Sequence, residues 1–137
     1  MRTRFALTYV LEAVLAGAIA IAVVVLPPER PLLAQGSGHF SIVASVAGYR
    51  GLPRALTYGP GKAGLISFAE SLWIDLNGIG LNTWLINPGF VRTRLTAKNT
   101  FDMPALIDPE DAASAIFKGF ATGNFEIHFP KRFTYFM

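Results

Sequence analysis

The sequence predicts an α/β fold in which short, buried parallel strands alternate with helices. Three observations carry this. The runs His39 to Ser45, Leu81 to Asn87 and Phe125 to Pro130 are short and rich in β-branched and aromatic residues, as strands buried on both faces are. Between the first two runs, Leu65, Ile66, Phe68, Ala69, Leu72, Trp73 and Leu76 recur at helical spacing. Glycine and proline punctuate the joins, at Gly36-Ser37-Gly38, Gly51-Leu52-Pro53, Asn77-Gly78 and Asn87-Pro88-Gly89.

The N-terminus supports two readings. Met1-Arg2-Thr3-Arg4 precedes an apolar stretch, and Ala13 to Leu26 carries no polar side chain. Basic residues before an apolar run suggest a signal-peptide core or a membrane anchor. Glu12 interrupts the stretch, however, and the uncharged run is shorter than the roughly 20 residues a bilayer requires. The alternative, favoured here, is a long helix from about Leu7 to Leu26, ended by Pro27-Pro28.

The remaining elements follow in order. Gly36-Ser37-Gly38 is a turn, because a strand follows it and not a helix. The strand from His39 delivers Ser45 to the C-terminal edge of a sheet, where open α/β folds bind ligands. Val46 to Thr57 is a loop, and a helix begins near Tyr58. Pro60 is acceptable in its first turn, where no intrahelical N–H bond is needed. Asn77-Gly78 stops that helix. Leu81 to Asn87 is the second strand, broken by Pro88-Gly89. Leu95 to Leu106 is of mixed character, and Phe101 and Met103 within it either shape an apolar pocket or pack a long loop. Asp108-Pro109-Glu110-Asp111 starts a helix, with a capping acid, proline at the first position and acids in the first turn. Gly123 lies just beyond its end, and a last strand follows.

Composition narrows the function. The 137 residues are 52% hydrophobic and only 15% charged, with a net charge of +3. Arg2, Arg4, Arg30, Arg50, Arg54, Arg92, Arg94, Lys131 and Arg132 form no dense run, which argues against nucleic-acid binding. Arg92 and Arg94 read either as solvated loop residues or as contacts to a phosphate. No cysteine is present, so disulfides and thiolate metal sites are excluded. His39 and His128 are isolated strand residues without ligand spacing, and no metal is expected.

The chemistry concentrates in Ser45, Tyr58 and Lys62. A phenol titrates near pH 10, too high for proton transfer at neutral pH. A lysine one helical turn away stabilises the phenolate. A serine hydroxyl nearby can hold a carbonyl oxygen or an alcohol. Together they form a proton-transfer device for carbonyl/alcohol chemistry.

The surroundings of this trio are specific. Gly38-His39-Phe40-Ser41-Ile42-Val43-Ala44-Ser45-Val46-Ala47-Gly48 leads through Gly51-Leu52-Pro53 to Tyr58 and Lys62-Ala63. Ile86-Asn87-Pro88-Gly89-Phe90-Val91-Arg92-Thr93 follows. In order and spacing, these blocks resemble the short-chain dehydrogenase/reductase family over Leu15 to Met137, corresponding to the C-terminal half of its fold. The resemblance implies a single partial domain over residues 1–137, with 1–14 uncertain. It would be a three-layer, Rossmann-like α/β fragment of about three parallel strands, lacking the N-terminal dinucleotide-binding half.

The resemblance further implies NAD- or NADP-dependent alcohol oxidation or ketone reduction. Ser45, Tyr58 and Lys62 would be catalytic, and Tyr58, Lys62, Pro88, Gly89, Val91 and Thr93 would bind cofactor. It implies a small-molecule alcohol or carbonyl substrate, a cytoplasmic location, and a homo-oligomer formed through the helices Leu7 to Leu26 and Tyr58 to Asn77. The family's glycine-rich phosphate loop, which works through backbone N–H groups at a helix N-terminus, has no counterpart here. The family's helix asparagine falls at Val14, which offers no side-chain hydrogen bond. Pro60 and Gly61 stand where alanine and serine are usual, and Gly61 would loosen the turn that orients Lys62. Two alternatives stand beside this reading, the first favoured by these departures and by an aromatic C-terminus that looks cut short. One is an inactive, truncated fragment or pseudoenzyme acting by association. The other is a protein anchored to a membrane by its apolar N-terminus.

Overall fold

The computed structural model describes residues 36–137 together with two short segments nearer the N-terminus. Those segments are strands β1 (Val10–Ala13) and β2 (Ile19–Ala22), paired antiparallel with Val10 opposite Ala22 and Ala13 opposite Ile19. This corrects the long helix expected over Leu7 to Leu26. Ile19-Ala20-Ile21-Ala22 alternates with period two, and Val10, Ile19 and Ile21 are β-branched, which suits a pleated strand. An apolar stretch without a polar face imposes no 3.6-residue period, so it does not specify a helix. Val14, the residues 14–18 around it, and most of the apolar run up to Leu26 lie outside the described residues. Among the described residues, no helix is long and apolar enough to cross a membrane.

The principal sheet has three parallel strands in the order β3 (Gly38–Val43), β4 (Leu81–Pro88) and β5 (Glu126–Phe129). Ile42 stands opposite Leu85, and Asn87 opposite His128. Helix α1 (Tyr58–Leu76) connects β3 to β4, and helix α2 (Pro109–Thr122) connects β4 to β5. A short helix α3 (Lys131–Thr134) follows β5. The order of three strands and two crossover helices is the one the sequence predicts, and it forms the expected three-layer Rossmann-like fragment.

Alternation along the strands divides the core between two sheet faces. On one face Ile42, Ala44 and Leu85 pack with Leu65 and Ala69 of α1. On the other, Ile86, Ile127 and Phe129 pack with Ala112 of α2. Ile42 and Leu85 are almost completely removed from water. Each stabilises the fold by about 1.5–3 kcal/mol relative to exposure.

The helix ends follow from local chemistry, with one difference. Asn77 caps α1, and Gly78 beyond it adopts a positive φ of 94°. Gly123 caps α2 with φ 74°, the left-handed conformation that glycine adopts without steric cost. Asp108 occupies the N-cap position of α2, but its carboxylate makes no capping bond. It accepts instead from Arg92 Nε at 2.8 Å.

Candidate active site

The C-terminal edge of the sheet gathers most of the predicted residues. Strand β3 ends at Val43, and Ser45 follows after one residue. Ser45 is extended (φ −172°, ψ 155°) and caps a 3-10 turn, Val46–Gly48. Its Oγ accepts from the Ala47 N–H at 3.2 Å and donates to the Pro88 carbonyl at 3.3 Å. Ser45 is therefore held between its own turn and the Pro88-Gly89 turn that ends β4. Gly89 N–H donates to the Phe129 carbonyl at 2.8 Å, which ties the same turn to β5.

Helix α1 brings in the other two members. Tyr58 is its first residue and is half-buried. Lys62 lies one turn on and is 5% exposed. Its Nζ donates to the Val43 carbonyl at 3.2 Å and lies 5.6 Å from the centre of the Tyr58 ring. Burial pushes the Lys62 ammonium below the ordinary lysine range, because desolvation penalises the charged form. One ammonium thus joins the end of the serine strand to the tyrosine.

Val91 and Thr93 are arranged differently. The Val91 carbonyl accepts from Thr96 Oγ1 at 2.7 Å. Thr93 Oγ1 accepts from the Thr96 N–H at 3.2 Å, while the Thr93 N–H donates to Thr96 Oγ1 at 2.8 Å. The two residues form a local turn that leads into a 3-10 helix, Thr96–Lys98. Arg92 is paired with Asp108, and Arg94 is exposed. The Phe101 and Phe90 rings pack edge to face, with centroids 6.0 Å apart, and the Met103 thioether accepts from Asn99 at 3.3 Å.

A second polar group borders the site and was not foreseen. The Tyr49 hydroxyl donates to Glu126 Oε1, and Asn87 Nδ2 donates to the same oxygen at 2.6 Å. Asn87 is fully buried, and its Oδ1 has no partner among the described residues. Burial first, and then the Glu126 carboxylate, push the Tyr49 phenol above the usual tyrosine range. Beside this group, His128 Nδ1 lies 2.6 Å from Thr134 Oγ1, and its Nε2 lies 2.8 Å from Lys131 Nζ. The available signal was a polar residue inside an apolar strand run, at Asn87 and again at Glu126. Their meeting with Tyr49 left no local trace.

A family model described as short chain dehydrogenase matches residues 6–103. The chain belongs to the short-chain dehydrogenase family. Among its relatives, an uncharacterized oxidoreductase of Myxococcus xanthus is 40% identical over 121 residues, covering 88% of this chain and 47% of the relative. The ketoacyl reductase HetN of a Nostoc species is 30% identical over 100 residues, covering 70% of this chain and 35% of that protein. A short-chain dehydrogenase from Sphingobium yanoikuyae, solved in complex with NADPH, shares the fold with a TM-score of 0.66 at 20% identity. That match covers 73% of this chain and 40% of the other. A short-chain dehydrogenase from Burkholderia cenocepacia, solved in complex with NADP, gives a TM-score of 0.65 at 20% identity, covering 74% of this chain and 41% of that one. This short-chain dehydrogenase chain spans half or less of the length of each of these relatives.

Proposed function

We propose that this chain carries the proton-transfer half of an NAD(P)-dependent alcohol/ketone oxidoreductase site. The observation that carries the reading is the position of Lys62, whose Nζ contacts the end of the strand leading to Ser45 and lies beside the Tyr58 ring. Tyr58 is the general acid/base. Lys62 stabilises its phenolate, and Ser45 orients the substrate oxygen.

The donor set suits the nicotinamide-ribose end of the cofactor. An ammonium has three donors. Lys62 uses one on Val43 among the described residues, which leaves two for ribose hydroxyls. Pro88 and Gly89 would border the same end, with Val91 and Thr93 beyond them. Hydride exchange is the chemistry a bound nicotinamide supplies. The chain's own residues move the proton: the Tyr58 hydroxyl gives it to a carbonyl oxygen in reduction and takes it from an alcohol in oxidation.

The reading implies a small alcohol or carbonyl substrate and a cytoplasmic protein that self-associates. The expected pairing of two long helices is reduced, because the described parts of the first are strands. The exposed Phe68, Trp73 and Ile74 of α1 are the apolar residues that remain for it. Retention in membranes after a carbonate wash would overturn the location.

The test of the chemistry is a Tyr58→Phe substitution in a form of the protein that turns over secondary alcohols with NAD or NADP. The expected result is loss of turnover with an unchanged circular dichroism spectrum. Retained turnover would refute the assignment.

A further inference from the structure

The polar group beside the site closes a circuit around Ser45. Starting at the hydroxyl, Ser45 Oγ donates to the Pro88 carbonyl at 3.3 Å. The residue before Pro88 is Asn87, whose Nδ2 donates to Glu126 Oε1 at 2.6 Å. The same oxygen accepts from the Tyr49 hydroxyl. The Tyr49 N–H donates to the Val46 carbonyl at 3.1 Å, and the Gly48 N–H to the Ser45 carbonyl at 2.9 Å. The path thus returns to the serine through the 3-10 turn that Ser45 itself caps.

We propose that Glu126 is a positioning residue for Ser45. One carboxylate oxygen on β5 holds both arms of the serine's surroundings, the Val46–Tyr49 turn and the Asn87-Pro88 strand end. The proposal rests on the reading that Ser45 orients the substrate oxygen.

Three features of the circuit favour positioning over general packing. Both donors converge on a single oxygen, so losing that acceptor releases both arms together. The Asn87 amide is anchored from its Nδ2 side, because its Oδ1 is buried and unpaired among the described residues. Its amide orientation therefore depends on Glu126. Finally, the contacts span three separate elements, with sequence separations of 77 from Tyr49 to Glu126 and 39 from Asn87 to Glu126. No local interaction substitutes for them.

The role is distinct from catalysis. Glu126 makes no contact with Ser45, Tyr58 or Lys62 among the described hydrogen bonds, and it acts through Tyr49 and Asn87. Glutamine retains a side-chain carbonyl oxygen that accepts from both donors, whereas leucine offers none. Replacement by glutamine should therefore keep the circuit, and replacement by leucine should open it.

The experiment is residue-resolved amide hydrogen exchange on the whole chain. In Glu126→Leu, the Gly48 and Tyr49 amides should exchange faster by about tenfold, the effect of one net hydrogen bond. The Leu65 and Ala69 amides of α1 should stay within about threefold of the parent, as expected of a local opening. Tyr49→Phe removes one hydroxyl only, and it should reproduce the effect at the same two amides if Glu126→Leu fails to fold. Glu126→Gln should restore parental exchange. Unchanged exchange at Gly48 and Tyr49 in Tyr49→Phe would overturn the proposal, as would failure of Glu126→Gln to rescue. Uniform acceleration across α1 and the sheet would reduce Glu126 to a stability role and overturn it too. The measurement needs no turnover, so it stands or falls separately from the dehydrogenase assay.

Discussion

Gly48 lies directly against the backbone of helix α1 at Lys62. A Cβ on Gly48 would stand 2.8 Å from the Lys62 carbonyl carbon, 2.8 Å from the Ala63 nitrogen and 2.7 Å from Ile66 Cδ1. Two of these atoms are helix backbone and cannot swing aside. The absence of a side chain lets the turn after Ser45 seat itself on the helix that carries Tyr58 and Lys62.

Gly48→Ala should therefore push the serine turn off α1. Overpacking of this kind costs about 1–3 kcal/mol. The expected outcome is a lower urea midpoint with an unchanged slope. A midpoint equal to the parent's would show that the turn and helix can separate freely.

Lys62 gives a pH dependence of stability. Its folded pKa lies below the ordinary lysine value because the ammonium is buried. The unfolded chain then binds the proton more tightly, so stability rises with pH towards the unfolded lysine value and is lost as pH falls through the folded one. Relative to Lys62→Met, the parent should gain stability between pH 7 and pH 10 in denaturant titrations. Parallel curves for the two proteins would contradict the burial argument.

His128 predicts a second window, on the acid side. Burial and the nearby Lys131 ammonium hold its pKa below the usual histidine range, against the opposing pull of Glu126. The unfolded histidine takes up its proton first, so stability falls as pH drops below about 6.5. Thr134 Oγ1 and the Tyr135 ring are its other neighbours. The melting temperature of the parent should decline more steeply from pH 7.5 to pH 5.5 than that of His128→Gln. Equal slopes would remove His128 as the source.

Gly119 controls the fit of α2 against β5. A Cβ there would meet Ile127 Cγ1, Cγ2 and Cδ1, each at 2.6 Å, and Ile127 is buried. Gly119→Ala gains helix propensity of about 1 kcal/mol but collides with the whole Ile127 side chain. A net loss of stability is expected, because a branched buried side chain has little room to change rotamer. Pairing the change with Ile127→Val, which trims the clash, should recover part of the loss in thermal melts. No recovery would place the strain elsewhere.

Local chemistry made several features readable in advance. The helix from Tyr58 ends at Asn77-Gly78, and the helix from Pro109 ends at Gly123, because each boundary is set by a residue or two that act on their own backbone. The strands are legible for a similar reason, as short β-branched runs closed by glycine or proline. In the apolar N-terminal stretch the expected helix gives way to strands at Val10–Ala13 and Ile19–Ala22, since alanine, isoleucine and valine satisfy a helix and a strand equally well until something covers them. Arg92 is exposed, in keeping with the solvated-loop reading, but its pairing with Asp108, sixteen residues away, was beyond reach of the sequence.

The sequence by itself determined the family, the order of strands and helices in the C-terminal region, and the presence of Ser45, Tyr58 and Lys62 at sheet-edge and helix-start positions. These depend on residue order and short-range periodicity, which the chain displays directly. Only the tertiary structure decided that Lys62 reaches the Val43 carbonyl, that Gly48 must be bare to admit α1, and that Tyr49, Asn87 and Glu126 meet on one oxygen. Such contacts join residues far apart in the chain. They exist because parallel strands return each crossover to the same sheet edge, and no local pattern records which side chains arrive there together.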